Sequence, residues 1–309
     1  MQHTRLLLSA TFGIELNVTF VIIVLFSIKM FSLSSKLSVA VQVGRILRLK
    51  FSYNGAKLTT EAIPVVFETT EKKSVLVTNT SYNRDYHLEF AKPADTVRIL
   101  KFLEHNFFVD EPLIKSLSFN KGKVDATLEA YVKKSLNHGL SIVAVKNTPG
   151  RDILGISLNE KNCVWDGTKM DKIAVESQLP QVRKLLHIWA LITREPQIHM
   201  KLSQYEIFEL GIISVARKMH SQGIGTQLAK RSLALARDLN YRYARMDATS
   251  DYSKRIAEKL EMSRIWEVPY KNILLDDDNV PVAIPEKPHT HAYVYFMNLK
   301  NLPQDYITD

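Results

Sequence analysis

The chain of 309 residues has a single cysteine, Cys163. That excludes an intramolecular disulfide and any multi-cysteine metal cluster, and it suits a reducing compartment. Acidic residues are missing between Glu15 and Glu61, a stretch that holds Lys29, Lys36, Arg45, Arg48, Lys50 and Lys57. No known nucleic-acid motif and no basic array interleaved with aromatics is present, so nucleic acid is not the expected partner. His187 and His199 have no second metal-like partner at a standard spacing and read as ordinary polar positions, so no metal is expected. Asp276-Asp277-Asp278 reads as a solvated acidic loop rather than a cation site.

What is present suits a globular protein. At 46% hydrophobic and 24% charged residues there is ample core material. The net charge of +9 favours an anionic partner: a nucleic acid, a membrane surface or a polyanionic cofactor. One long apolar run extends from Leu6 to Leu33, broken by Glu15 and Lys29. Its clean core, Leu16 to Ile28, is short of the roughly 20 residues of a full span. With its flanks it could form a tilted membrane anchor, and the basic residues that follow would then leave the C-terminal part facing the cytoplasm. An organelle-targeting piece and a plain N-terminal extension are the other readings. Residues 36–85 read as extended or loop, with a candidate strand at Val75-Leu-Val-Thr78 and a glycosylation sequon at Asn79-Thr-Ser81.

The most informative stretch is 207–226. Ile212-Ile213-Ser214-Val215 is an apolar, β-branched run, followed by a polar loop and Gly223-Ile224-Gly225. From Thr226 onward Leu228, Ala229, Leu233, Ala236 and Leu239 recur at helical spacing. Strand, glycine turn and helix follow in order. The first turn of a helix carries unpaired N–H groups at its positive dipole end, and glycine lets that backbone approach a phosphate. The segment is therefore a candidate pyrophosphate cradle, or else a plain strand-to-helix connection. It is not a P-loop, having no Gly-Lys-Ser/Thr ending, and it lacks the third glycine of the dinucleotide fingerprint.

Residues 212–225 resemble the acetyl-CoA segment of the GCN5-related N-acetyltransferase superfamily, Arg/Gln-x-x-Gly-x-Gly/Ala after a strand. Gly223 and Gly225 match, and His220 stands where Arg or Gln is usual. Asn106-Phe-Phe-Val-Asp-Glu-Pro-Leu113 resembles the Phe-Phe-x-Asp-Glu-Pro-Leu motif of the insect-type arylalkylamine N-acetyltransferases. The resemblance implies that Glu111 is the base that deprotonates the amine. An alkylammonium has no lone pair to attack a thioester until some group takes its proton. The same three residues also read as a helix start, with Asp110 as cap and Pro112 in the first turn. Ala248-Thr249-Ser250-Asp251-Tyr252-Ser253 resembles the family's Cys-Ser-Ser-x-Tyr-Ser segment. By that match Thr249 and Ser253 are the catalytic or relay hydroxyls, and Tyr252 can act as acid for the departing thiolate. The plain alternative is a helix capped by Ser250 or Asp251, with Tyr252 a wall aromatic.

The remaining segments fall into the order such a domain needs. Tyr86–Phe90 reads as the first strand, and residues 95–108 as a helix capped by Asp95, with an apolar stripe at Val97, Leu100, Leu103 and Phe107. A helix over 124–138 ends at Gly139. Strands at 140–145 and 152–158 flank the turn Asn147-Thr-Pro-Gly150. Residues 159–180 read as polar and irregular, and 181–195 as an amphipathic helix. A strand at 241–248, a helix at 254–260 and strands at Trp266–Tyr270 and His291–Met297 complete the chain.

The expected organisation is a hydrophobic segment (1–35), a linker (36–85), an N-acetyltransferase domain (86–300) and a tail (301–309). The resemblance implies an α/β acetyltransferase fold whose central twisted sheet is mixed and mostly antiparallel, flanked by helices. It implies acetyl-CoA as co-substrate, met by the backbone of Ile213, Ser214 and Val215 and by His220, Ser221, Gln222, Gly223, Ile224 and Gly225. The acceptor is expected to be a small primary amine, an arylalkylamine. A polyamine, amino acid or protein amine is the alternative within the same fold, and a catalytically weakened acyl-CoA-binding protein the alternative of another class. The oligomeric state is open.

Overall fold

The computed structural model describes residues 39–43, 47–54, 57–62, 85–118, 125–274, 276, 279–303 and 306. The apolar run at 6–33, the candidate strand at 75–78, the sequon at 79–81 and most of the Asp276–Asp278 loop lie outside them. No helix among the described residues is long and apolar enough to cross a membrane.

The chain divides into two units, Met1–Val75 and Leu76–Asp309. The first contains a three-stranded antiparallel sheet, β1 (Val39–Val43), β2 (Leu47–Asn54) and β3 (Lys57–Ala62), inside the stretch expected to be linker. Leu47, Leu49, Phe51 and Tyr53 alternate with Arg48, Lys50, Ser52 and Asn54, a strict period of two, and Asn54-Gly55 is a hairpin signal.

The second unit is built on a seven-stranded sheet. Its strands are β4 (Tyr86–Phe90), β5 (Ile142–Lys146), β6 (Ile153–Cys163), β7 (Glu206–Val215), β8 (Tyr243–Ala248), β9 (Ser263–Pro269) and β10 (His291–Asn298). The order across the sheet is β4-β5-β6-β7-β8-β10-β9. Every neighbouring pair is antiparallel except β7 with β8, so the sheet is mixed and mostly antiparallel, as expected.

Helices cover both faces. On one lie α1 (Thr96–Asp110), α2 (Pro112–Ser116), α3 (Ala126–Asn137) and α5 (Pro180–Arg194), sharing a core with Val143, Ile156, Leu158, Ile207 and Ile212. Two further helices, α4 (Asp166–Glu176) and α6 (Ile198–Leu202), flank α5 in sequence. On the other face α7 (Ile224–Asp238) and α8 (Asp251–Lys259) close a second core around Phe208, Leu210, Ala244 and Met246. Inner strands such as β5, β6 and β7 thus feed alternate residues to two cores.

Several local expectations are corrected. Val97 is 77% exposed. The buried face of α1 is Ile99, Phe102, Leu103 and Phe108, while Leu100 and Phe107 sit half-buried on its flank. The Asp95 carboxylate turns back to accept from the Lys92 amide at 3.0 Å and does not cap α1. Residues 159–180 are not irregular: β6 runs on to Cys163 and α4 follows. Their polarity misleads because Asn159, Glu160 and Asn162 are buried and internally hydrogen-bonded. Leu239 lies past the end of α7 and is 47% exposed.

Candidate active site

The site begins with a fault in the sheet. β7 and β8 pair only through Phe208, Glu209 and Leu210. Beyond Leu210 the strands part, and the edge of β7 facing β8 is left without a strand partner. Across the other edge Leu158 opposes Ile212 and Asn159 opposes Leu210, so Gly211 is an extra, unopposed residue. This bulge switches the alternation of β7, which brings Ile212 to the same core as Ile207. It also frees backbone groups on strand residues that would otherwise be paired.

At the end of β7 the chain turns into α7. The His220 ring folds back, Nε2 donating to the Val215 carbonyl at 2.9 Å, and Ser221 and Gly223 take left-handed φ of 62° and 79°. Gly223 is the residue before the helix, and a side chain on it would meet nothing within 4 Å. Gly225 is confined: a Cβ there would come within 3.1 Å of Ile256 on α8. The first-turn amides of α7 face a cavity of about 630 Å³ that Ile213, Ser214, Val215, His220, Ser221, Gly223, Ile224 and Gly225 line. The Ile224 side chain is buried, so only its backbone is available. Gln222 does not line the cavity; its side-chain amide donates to the Lys218 carbonyl at 3.3 Å. The strand gap, the unfilled space at Gly223 and the positive helix end together fit the extended arm and pyrophosphate of a CoA thioester.

On the opposite wall Glu111 ends α1 and caps α2, its Oε2 accepting from the Ile114 amide at 2.7 Å. The other oxygen, Oε1, accepts from the Thr249 hydroxyl at 2.8 Å, across 138 residues of sequence. Glu111 is 8% exposed. Burial pushes its carboxyl up to about 7, against the Ile114, Thr249 and Leu113 hydrogen bonds that favour the anion. The cap of α2 is therefore Glu111 and not Asp110, the last residue of α1, which pairs with Arg217 instead.

Thr249 is held in turn by Tyr270, a buried phenol that donates to the Thr249 carbonyl at 2.6 Å. The next residue, Ser250, caps α8, and its capping box is closed by Ser253. The two hydroxyls lie 2.9 Å apart, and each accepts from the other residue's amide. Ser253 is thus committed to the helix start. Tyr252 lines the cavity, is 62% exposed and lies 4.9 Å from the His289 ring.

Sequence reasoning missed the other end of the cavity. There Glu209 and Asp247 line it beside Tyr131 and Trp189, whose rings are 5.7 Å apart. Fully buried Arg245 binds both Asp247 oxygens at 2.7 Å and reaches the Ile192 and Thr193 carbonyls at the end of α5 at 3.4 Å. The available signal was an acid inside an apolar strand, Phe208-Glu209-Leu210, and the period-two pair Arg245 and Asp247. Tyr270, buried, and Gly211 carried no local signal. Arg217, in the loop after β7, forms a bidentate ion pair with Asp110, next to Glu111. His187 pairs with Asp171, and His199 bonds Asn162 and the Gln204 carbonyl. Among the described residues no group of three such side chains could hold a metal.

No family model matches the chain. Among solved structures it is similar to arylalkylamine N-acetyltransferase 2 of Aedes aegypti, at 23% identity and a TM-score of 0.65, over 70% of this chain and 100% of that one. A mosquito arylalkylamine N-acetyltransferase like 5b is similar at 18% identity and a TM-score of 0.63, over 69% of this chain and 99% of that one. So is a polyamine N-acetyltransferase of Drosophila melanogaster that forms N-acetylagmatine, at 18% identity and a TM-score of 0.62, over 69% of this chain and 100% of that one. The second unit therefore has the α/β fold of the N-acetyltransferases.

Proposed function

We propose that the chain is an acetyl-CoA-dependent N-acetyltransferase that moves an acetyl group to a small primary amine by direct attack on the thioester. The observation that carries this reading is the Thr249–Glu111 hydrogen bond. It joins a carboxylate poised near neutral pH to the cavity that also holds the free edge of β7 and the first turn of α7.

Acetyl-CoA, when bound, supplies an activated acetyl group: a carbon–nitrogen bond replaces the carbon–sulfur bond. Glu111 takes the ammonium proton, directly or through water, and so exposes the nitrogen lone pair. Backbone N–H groups of β7 around the Gly211 bulge stabilise the charge that develops on the carbonyl oxygen. The α7 amides hold the pyrophosphate, and His220 keeps the loop folded for it. Thr249 orients Glu111 and lowers its proton affinity. Tyr252, at the solvent-facing rim, is the group that returns a proton to the thiolate, and Ser253 fixes the helix turn that carries it. Holding both reactants in one cavity supplies much of the acceleration.

Arylalkylamines are the acceptor class that the sequence resemblance implies, and the aromatic wall of Phe107, Tyr131 and Trp189 supports it. The test is thiol release from acetyl-CoA with primary amines of increasing size, run beside calorimetric titration of acetyl-CoA. Binding with amine-dependent release is the expected result. Absence of acetyl-CoA binding overturns the reading.

A further inference from the structure

The bulge on β7 is seated against a buried polar pair. A Cβ on Gly211 would lie 3.3 Å from each of three oxygens: the Tyr131 hydroxyl, Glu160 Oε1 and the Leu158 carbonyl. Leu158 is the β6 residue at which the register against β7 shifts. Tyr131 and Glu160 therefore stand where a side chain on the extra residue would go. Their own contact is short, the Tyr131 phenol donating to Glu160 Oε1 at 2.6 Å. The Ser135 hydroxyl, one turn further along α3, lies 3.3 Å from Glu160 Oε2 and 3.1 Å from the Tyr131 carbonyl.

The docking of α3 does not call for this pair. Leu128 and Val132 of α3 are fully buried in the core that Ile156 and Leu158 of β6 share. An apolar couple in place of Tyr131 and Glu160 would pack there without the cost of burying a carboxyl. Glu160 is 6% exposed. Among the described residues its side chain is hydrogen-bonded by hydroxyls, and Lys134 acts on it only through space. Burial pushes the Glu160 carboxyl up. Burial and the neighbouring Glu160 push the Tyr131 phenol up, so the phenol keeps its proton and is the donor. The carbonyl oxygen of a neutral carboxyl accepts as an anion does, so the contact persists in either state. A directional contact packed on a residue without a side chain selects one register, which an apolar contact does not.

We infer that Tyr131 and Glu160 are positioning residues: their hydrogen bond, seated on Gly211, fixes the β7 bulge whose amides polarise the thioester carbonyl. The inference rests on the acetyltransferase reading above and names what aims the carbonyl-binding groups of that reaction.

The test uses the full chain and acetyl-CoA isotope-labelled at the thioester carbonyl, whose stretching band reports the hydrogen bonds it receives. Infrared difference spectra are taken without amine, beside calorimetric titration of acetyl-CoA and thiol release with a primary amine. In the wild type the band of the bound thioester should lie below that of free acetyl-CoA. Tyr131→Phe keeps the aromatic wall and removes the hydroxyl. Its band should move back toward the free position and its kcat should fall about tenfold to a hundredfold, with acetyl-CoA affinity changed less than about twofold. Glu160→Leu should do the same. Glu160→Gln keeps an acceptor for the phenol and should regain most of the kcat lost in Glu160→Leu, a recovery that general loosening of the core would not give. Gly211→Ala presses on the pair from the other side and should shift the band likewise. A wild-type band at the free position, a band and kcat unmoved by Tyr131→Phe, or a Glu160→Gln variant as impaired as Glu160→Leu would overturn the inference while leaving the acetyltransferase reading standing. Failure of acetyl-CoA to bind the wild type in calorimetry would overturn both.

Discussion

The two ends of the cavity are made in different ways. The end proposed for the cofactor is backbone: a strand edge released by the parting of β7 and β8, a bulge at Gly211 and the first turn of α7. The end proposed for the acceptor is side chain: Glu111 from the α1–α2 junction, Thr249 from the end of β8, Asp247 from β8 itself, Glu209 from β7, Tyr131 from α3 and Trp189 from α5. A backbone site tolerates changes of side chain as long as the turn geometry survives. A site of buried carboxylates does not, since each depends on partners that the others also use.

Replacing Glu111 should have the largest effect. Glu111→Gln keeps a carbonyl oxygen to accept from Ile114 and turns an amide donor towards the Thr249 hydroxyl oxygen, but cannot take a proton, so kcat/KM at neutral pH should fall by about 10²–10⁴ with acetyl-CoA affinity little changed. Steady-state kinetics beside calorimetry would check both parts. The corresponding break at the other end is Thr226→Glu. Thr226 lines the cavity in the first turn of α7, where a carboxylate suits the helix dipole yet repels pyrophosphate. Acetyl-CoA affinity should drop about tenfold or more with thermal stability retained, a split a merely destabilising change would not give.

A finer probe is Thr249→Val, which keeps the shape and removes one hydrogen bond. Because that bond favours the Glu111 anion, the pH at which activity rises should move upward, and kcat/KM near pH 7 should fall about three- to tenfold.

The smallest effect concerns stability at the acceptor end. Burial pushes the Glu209 carboxyl up to about 8 from its ordinary value of 4.5, so the folded chain holds a proton there that the unfolded chain has lost. The contribution of Glu209 to stability is therefore present at low pH and declines as pH rises from about 4.5 through about 8. Glu209→Gln should raise the melting temperature by a few degrees at about pH 9 and leave it near wild type at about pH 5, as scanning calorimetry would record. An offset independent of pH would mean that Glu209 is ionised throughout.

The same contrast governs what could be read in the sequence. The cofactor end is local: a β-branched run, a polar loop, Gly223 and Gly225, and a helical stripe lie within about thirty residues, so strand, turn and helix were legible in order. The acceptor end is assembled by the fold. Glu111 and Thr249 were each identifiable by resemblance, but only the packing of α1 beside the end of β8 makes them partners. The acids Glu160 and Glu209 and the amides Asn159 and Asn162 look like surface in a sequence and are buried in the sheet. For that reason the sequence pattern ends β6 early and does not show that Glu209 lines the cavity. The Gly211 bulge has no local signature, since it is defined only by its register against β6. Ser253 shows the reverse case: its hydroxyl, singled out by motif, is taken up by the helix cap at Ser250, one of the two caps that the sequence offered.

The central claim is that a buried carboxylate near neutral pKa takes the proton of the amine. The most direct measurement is the pH dependence of kcat/KM for a primary amine, compared between wild type and Glu111→Gln. The carboxyl must be ionised to act, so the wild-type profile should rise through about pH 7, and that inflection should be missing from the variant, leaving only the titration of the amine. An unchanged inflection in Glu111→Gln, or a wild-type profile that follows the amine alone, would contradict the account.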